Sequence, residues 1–403
     1  MTDIEVRPVA EGEQRAVLGV LKAALHSKPP SDEEWELAGR SFPADRKFAV
    51  FAEGRPVGLT SSFATEIAVP GGALVSLAAV DGVGVRADHT RRGIMTALLS
   101  EQLRDCARRG EVFAALHASE STIYGRFGYG VATRGKTVRV SGARFRPEAP
   151  TGGRVRLLEP EVAVKEIPAL YQRIAPSRPG MIARPEVWWP SYHDRLLAPR
   201  GDYLVAVHTG PGGDDGFAMY QPVDLRTFET PNRGTALEVR DLQAANPVAR
   251  AGLWRFLVGV DLVSEVRAPM RPVDEPIGAM LVDPRACEVV GLADHTWLRV
   301  LDVPAALAAR SYRSADPIVL EVIDEALPAN SGRYRIGVDG VGRTDEPGQL
   351  KVTAEVLAMI YLGEWAPSVL AEVGRVEVAD PAALEPADEL FRTTVRPWCG
   401  TYF

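Results

Sequence analysis

Asp81-Gly82-Val83-Gly84-Val85-Arg86-Ala87-Asp88-His89-Thr90-Arg91-Arg92-Gly93-Ile94-Met95-Thr96 decides how the rest of the sequence is read. The apolar alternation that ends at Val85 predicts a long strand over residues 73–85. A polar loop, residues 86–90, then feeds a helix expected over residues 91–109. Its apolar positions Met95, Leu99, Leu103 and Cys106 are spaced by four, four and three, which is one helical face. A strand, a loop and a helix start in this order can hold an anion. First-turn amide N–H groups have no partner inside the helix, and the macrodipole adds positive potential. Arg91 and Arg92 add fixed charge, and Gly93 lets the backbone approach a phosphate closely. A solvated basic helix start with a turn glycine is the competing reading. Neither Gly-x-x-x-x-Gly-Lys-Ser/Thr nor a strand-linked Gly-x-Gly-x-x-Gly occurs.

Working outward, strands are expected over residues 47–52, 56–66, 113–116 and 131–140, with a helix over 11–25 before them. Two runs rich in Pro and Gly, residues 144–153 and the stretch between Arg267 and Glu288, divide the chain into three expected segments: 1–146, 151–285 and 288–403. The middle segment reads as helices over 159–173, 185–197 and 248–260, with strands over 203–208, 217–222 and 236–242. The last segment reads as α+β, with helices over 303–311, 354–362 and 381–391 and strands over 318–323, 333–338 and 350–352.

The chain has 403 residues, 46% apolar and 25% charged, with a net charge of −7. This balance excludes a wholly disordered or collagenous chain. A mild acidic excess is the wrong sign for a nucleic-acid binder. Cys106, Cys287 and Cys399 have no metal-ligand or disulfide spacing, so neither a metal nor a disulfide framework is expected. The acidic start lacks a signal-peptide pattern, and no apolar run approaches the ~18 residues a membrane span needs. A cytoplasmic multi-domain protein is expected, with signal-independent secretion as the alternative.

Downstream of the loop stands Leu116-His117-Ala118-Ser119-Glu120-Ser121-Thr122-Ile123-Tyr124-Gly125-Arg126-Phe127-Gly128-Tyr129-Gly130. Together with Arg91-Arg92-Gly93, with Arg178-Pro179-Gly180-Met181 ahead of Trp188-Trp189, and with a terminal Phe403, it resembles the Eis (enhanced intracellular survival) family of bacterial acetyltransferases in the GNAT superfamily. The loop departs from the usual Arg/Gln-x-x-Gly-x-Gly/Ala pattern at Thr90 and Met95. The resemblance implies an α/β fold with mixed sheets: tandem GNAT domains, the second without a cofactor site, and a C-terminal sterol-carrier-protein-like α+β domain. For the second domain, the crossing Gln243-Ala244-Ala245-Asn246-Pro247 has neither the glycine nor the arginine pair of the first.

The implied reaction is acetyl transfer from acetyl-CoA, as co-substrate, to a small-molecule primary amine of the aminoglycoside type. A protein-lysine acetyltransferase and a lipid or sterol carrier with a vestigial GNAT domain are the alternatives. Homo-oligomerisation, as a hexamer, is also implied. By the same resemblance Val83, Gly84 and Val85 offer backbone to the pantetheine arm, and Arg91, Arg92, Gly93, Ile94, Met95 and Thr96 hold the pyrophosphate. Ser119 and Glu120 are further cofactor contacts. Tyr124 matches the general acid; a tyrosine at its reference pKa of ~10 keeps its proton at neutral pH. The Phe403 α-carboxylate is implied as the base. Asp81, Trp35 and His117 are candidates for the substrate side. Packing is the competing reading for Tyr124, for Trp35 and for Trp297, itself a candidate pocket wall; a hydrogen-bonded structural role competes for His117, and a solvated strand end for Asp81.

Overall fold

The computed structural model describes residues 5–32, 35–36, 44–197, 202–226 and 234–403. The chain first lays down β1 (Val6–Pro8), β2 (Lys47–Ala52), β3 (Arg55–Ala68), β4 (Leu74–Val85), β5 (Phe113–Leu116) and β6 (Gly130–Val131). It continues with β7 (Arg134–Val140), β8 (Arg154–Leu158), β9 (Leu204–Gly210), β10 (Gly213–Asp224), β11 (Thr235–Ala244), β12 (Val263–Pro272) and β13 (Cys287–Asp294). Then come β14 (Trp297–Val300), β15 (Ile318–Ile323), β16 (Gly332–Gly337), β17 (Gly340–Arg343), β18 (Leu350–Thr353) and β19 (Glu377–Val378).

These strands form three mixed sheets ordered β1-β2-β3-β4-β5-β14-β6, β13-β7-β12-β11-β10-β9-β8 and β17-β16-β15-β18-β19. The fold class is therefore the expected one. The sheets are not contiguous in sequence, however. β7 leaves the first expected segment to pair with β12 and β13, while β14 returns from the third to lie between β5 and β6. The hydrogen-bonded sheets thus cross the expected bounds at 146 and 288.

The expected strand over 131–140 is two strands on different sheets, because Ala132 and Thr133 carry the chain across. The break expected between Arg267 and Glu288 contains the second half of β12. Pro269 fits there because the β12–β7 register slips between Ala268 and Arg271, and Met270 takes a positive φ of 52°. A bulge is where a strand can hold a residue with no N–H to donate.

The helix Ile94–Arg108 buries Leu99, Leu103 and Cys106 of the expected face, leaves Met95 half-buried, and buries Ile94 and Leu98 besides. Helix Gln14–Ala24 lies over β4 because Gly84 has no side chain: a Cβ there would stand 3.1 Å from Ala24 Cβ and 3.3 Å from Leu21 Cα. β14 ties the first sheet to the third domain through Arg299, whose Nη2 donates to both oxygens of Asp324 at 2.7 Å. Both side chains are fully buried. Removing either would leave an uncompensated buried charge, costing ~3–5 kcal/mol.

Candidate active site

The first domain's sheet opens where the loop begins. β4 and β5 are parallel and pair only over Leu77–Ala79 and Phe113–Ala115. Beyond that they part, and the β5-facing backbone of residues 80–85 has no strand partner among the described residues. On its other side β4 remains paired with β3 to Val85. The β3–β4 register slips by one residue at Asp81, because Ser61 faces Gly82 whereas Ser62 faces Val80. The extra residue turns Asp81 out of the ladder, and Ser61 Oγ donates to its Oδ1 at 2.7 Å.

The loop after β4 is wound for an anion. Arg91 has φ +60° and Gly93 +83°. A left-handed residue among right-handed neighbours turns successive N–H groups to one side. Gly93 supplies no side-chain cap to helix Ile94–Arg108, so the N–H groups of Ile94, Met95 and Thr96 remain free for a ligand. Arg91 and Arg92 are exposed; Arg92 Nη2 donates to Asp88 O at 3.0 Å. Arg86 and His89 hold the Asp88 carboxyl well below the usual range, so it stays ionised and turned to them. In the middle domain the equivalent helix Pro247–Val258 is capped internally: Asn246 Oδ1 accepts from Ala249 N at 2.9 Å, and Pro247 has no N–H.

Tyr124 is buried, its ring 6.0 Å from that of Tyr129 at 73°. It shares a cluster with Val80 on β4 and Leu116 on β5, the strand ends that diverge. Burial and the charge of Glu120 push its phenol above the ordinary value, so it is protonated at neutral pH. Its hydroxyl has no hydrogen-bond partner among the described residues. Ser119 and Glu120 stand exposed between β5 and the turn that carries Tyr124.

A cavity of about 270 Å³ lies between helix Gln14–Ala24 and the middle domain, lined among others by Leu21, Trp35, Asp81, Tyr192 and Phe403. Two expected substrate-side residues and the last residue of the chain therefore face one space. Burial raises the Asp81 carboxyl to about 6, against the pull of Ser61 and nearby Lys47. Folded protein then binds that proton more tightly than unfolded chain, so the group favours folding below about pH 4, and the benefit is lost as pH rises through about 6. Asp81→Asn should melt progressively higher than wild type between pH 4 and 7, with a level difference above. A pH-independent difference in thermal melts would contradict the shift.

His117 does not line this cavity with them. Its Nδ1 lies 2.8 Å from His295 O and its Nε2 3.2 Å from Thr401 O. Burial lowers it to about 4, so the neutral ring donates to one of the two carbonyls. The imidazole stacks on Tyr402 (5.2 Å, 11°) and meets Phe403 at 4.5 Å, supporting the chain end from behind. Trp297 is core, its Nε1 donating to Asp294 at 2.6 Å. Sequence reasoning missed Tyr192 and Arg195, which the middle domain contributes to the wall. Only the Trp188-Trp189 pair just upstream pointed there.

Split parallel strands, a strand bulge and an uncapped helix start define the class: a tandem GNAT acetyltransferase fold closed by a third domain. Profiles described as acetyltransferase (GNAT) domain match residues 5–132 and 180–300, and a sterol carrier protein domain profile matches 303–400. An N-acetyltransferase of Streptomyces avermitilis is 36% identical over 100% of this chain and 99% of its own. N-acetyltransferase Eis of Mycobacterium tuberculosis is 35% identical over 84% of each. The crystal structure of Eis1 from Mycobacterium abscessus superposes with a TM-score of 0.90 at 35% identity, covering 99% of this chain and 100% of that one. A GCN5-related N-acetyltransferase from Anabaena variabilis shares the fold at 17% identity and a TM-score of 0.84. The chain belongs to the Eis family of N-acetyltransferases, and it is an acyltransferase.

Proposed function

We propose that this enzyme transfers the acetyl group of acetyl-CoA to primary amines of aminoglycoside-like polyamines. The observation that carries the reading is the parting of β4 from β5 directly before a left-handed, uncapped loop with two exposed cations. The residues fit the cofactor: backbone of Val83, Gly84 and Val85 for the pantetheine amides, Arg91 to Thr96 for the pyrophosphate, and Ser119 and Glu120 at the far side. When bound, acetyl-CoA supplies an activated thioester carbonyl for the amine to attack. Tyr124 Oη, held protonated by burial, supplies the proton the leaving group needs. The Phe403 carboxylate accepts the proton the amine sheds, with Asp81 orienting the cationic acceptor and Trp35 walling it in. The intact first-domain loop weighs against a lipid or sterol carrier with a vestigial GNAT domain. Assembly as a homohexamer rests on the family resemblance alone, and cytoplasmic residence on the cysteine pattern and the start of the sequence.

Arg91→Ala/Arg92→Ala tests the cofactor side. Each charge-assisted contact to phosphate is worth roughly 1.5–3 kcal/mol. Acetyl-CoA affinity should fall at least about tenfold in calorimetry while the melt is unchanged; unchanged affinity removes the loop from the site. Thiol release with kanamycin, with lysine peptides and with neither, followed by product mass, tests the acceptor class.

A further inference from the structure

The middle domain parts its strands as the first domain does, and the chain's own end fills the gap. β11 and β12 pair in parallel only from Thr235 to Glu238 and from Val263 to Arg267, and then diverge. Residues 398–402 lie between the free ends. On the β12 side, Trp398 Nε1 donates to Met270 O at 2.7 Å and the Arg271 guanidinium lies 5.0 Å from the Trp398 ring centre. On the β11 side, Gln243 Nε2 donates to Gly400 O at 3.3 Å.

Arg184 completes the grip. Its Nη2 donates to Gly400 O and its Nε to Thr401 Oγ1, both at 3.1 Å, while its Nη1 pairs with Asp241 at 2.6 Å. The side chain is 1% exposed and lies against the rings of Tyr171 (4.0 Å) and Trp188 (4.4 Å). Trp188 Nε1 holds the last carbonyl before the terminus, Tyr402 O, at 2.9 Å. A buried guanidinium with a carboxylate, a backbone carbonyl and a hydroxyl in fixed directions leaves the chain little freedom at this point.

We infer that the middle domain works as a clamp for the C-terminus: the split that admits a cofactor in the first domain here holds residues 398–402 and so fixes the Phe403 carboxylate. Arg184, Trp188 and Gln243 are positioning residues. The kinetic half of this inference rests on the reading of that carboxylate as the proton acceptor; the structural half does not.

The test uses the full-length enzyme with two readouts, turnover and the rate at which a carboxypeptidase releases Phe403, followed by mass spectrometry. Arg184→Gln removes both charge-assisted bonds to the tail. Phe403 release should rise, and kcat should fall, each at least about tenfold, while the KM for acetyl-CoA moves less than about twofold. Arg184→Lys, which keeps the pairing with Asp241, should lie between. If Arg184→Gln does not fold, Trp188→Phe/Gln243→Leu removes one donor from each side in neutral positions and should shift both readouts in the same direction. A protected Phe403 with full turnover in a folded variant overturns the clamp, whereas a released tail with unchanged kcat overturns its kinetic half and with it the reading of the carboxylate as proton acceptor. If the wild-type enzyme releases no thiol with any amine, the failure belongs to the acetyl-transfer reading, and the protection readout alone decides the clamp.

Discussion

Phenylalanine at position 124 is expected to lower the rate of thiol release by ~10²–10⁴-fold, the usual range for loss of a general acid. The substitution removes one oxygen and nothing else. The ring keeps its place beside Val80, Leu116 and Tyr129, and no hydrogen bond among the described residues is lost, so the melt should hold. Acetyl-CoA affinity should also hold, since the phenol is not among the groups assigned to the pyrophosphate. Measured where chemistry limits turnover, a variant of nearly full rate would make Tyr124 a packing residue. The tyrosine is a weak acid made weaker by burial, which suits it to keep a proton until a thiolate appears.

Two or three residues added after Phe403 are expected to abolish transfer. Phe403 is 5% exposed, edge-on to Phe63 at 6.0 Å and tilted on His117 at 4.5 Å. An added residue would turn the carboxylate into an amide, removing its charge, and would crowd the cavity proposed for the acceptor. The ordinary α-carboxyl pKa of ~3.3–3.7 makes a poor base, so burial beside apolar rings must raise it or a water must relay the proton. An extended enzyme, shown by mass to be uncleaved, that acetylates amines at the normal rate would remove the carboxylate from the mechanism.

Most elements were legible, because β2 and β3 alternate, β5 is a short apolar run, and the Ile94–Arg108 helix shows part of its buried face in the spacing. What failed has a common physical cause: local signals were overridden by distant partners. Pro269 and Pro272 read as a linker, yet a bulge seats the first and the second closes the strand. An arginine is ordinarily exposed, but Asp324 lets Arg299 sit fully buried on β14. At the site, Arg91, Arg92 and Gly93 could be found because a loop's chemistry is written in consecutive residues. The Asp81 bulge was invisible, since a register slip belongs to a pair of strands and not to either sequence. The grip of Arg184 on Thr401 joins positions 217 apart, and nothing in either neighbourhood announces the other.

The return of β14 to the first sheet also bears on how the protein is made. The edge of β5 that Trp297–Val300 will cover reaches the ribosome exit about 180 residues before its partner does. At roughly 5–20 residues per second, that apolar edge stays open for about 10–40 s on every nascent chain. Translation pauses within the middle domain would lengthen the interval, and a fragment ending at residue 146 would never close it. Holding chaperones should therefore be needed early in synthesis, and stop codons anywhere before residue 297 should yield aggregates in place of a smaller working enzyme.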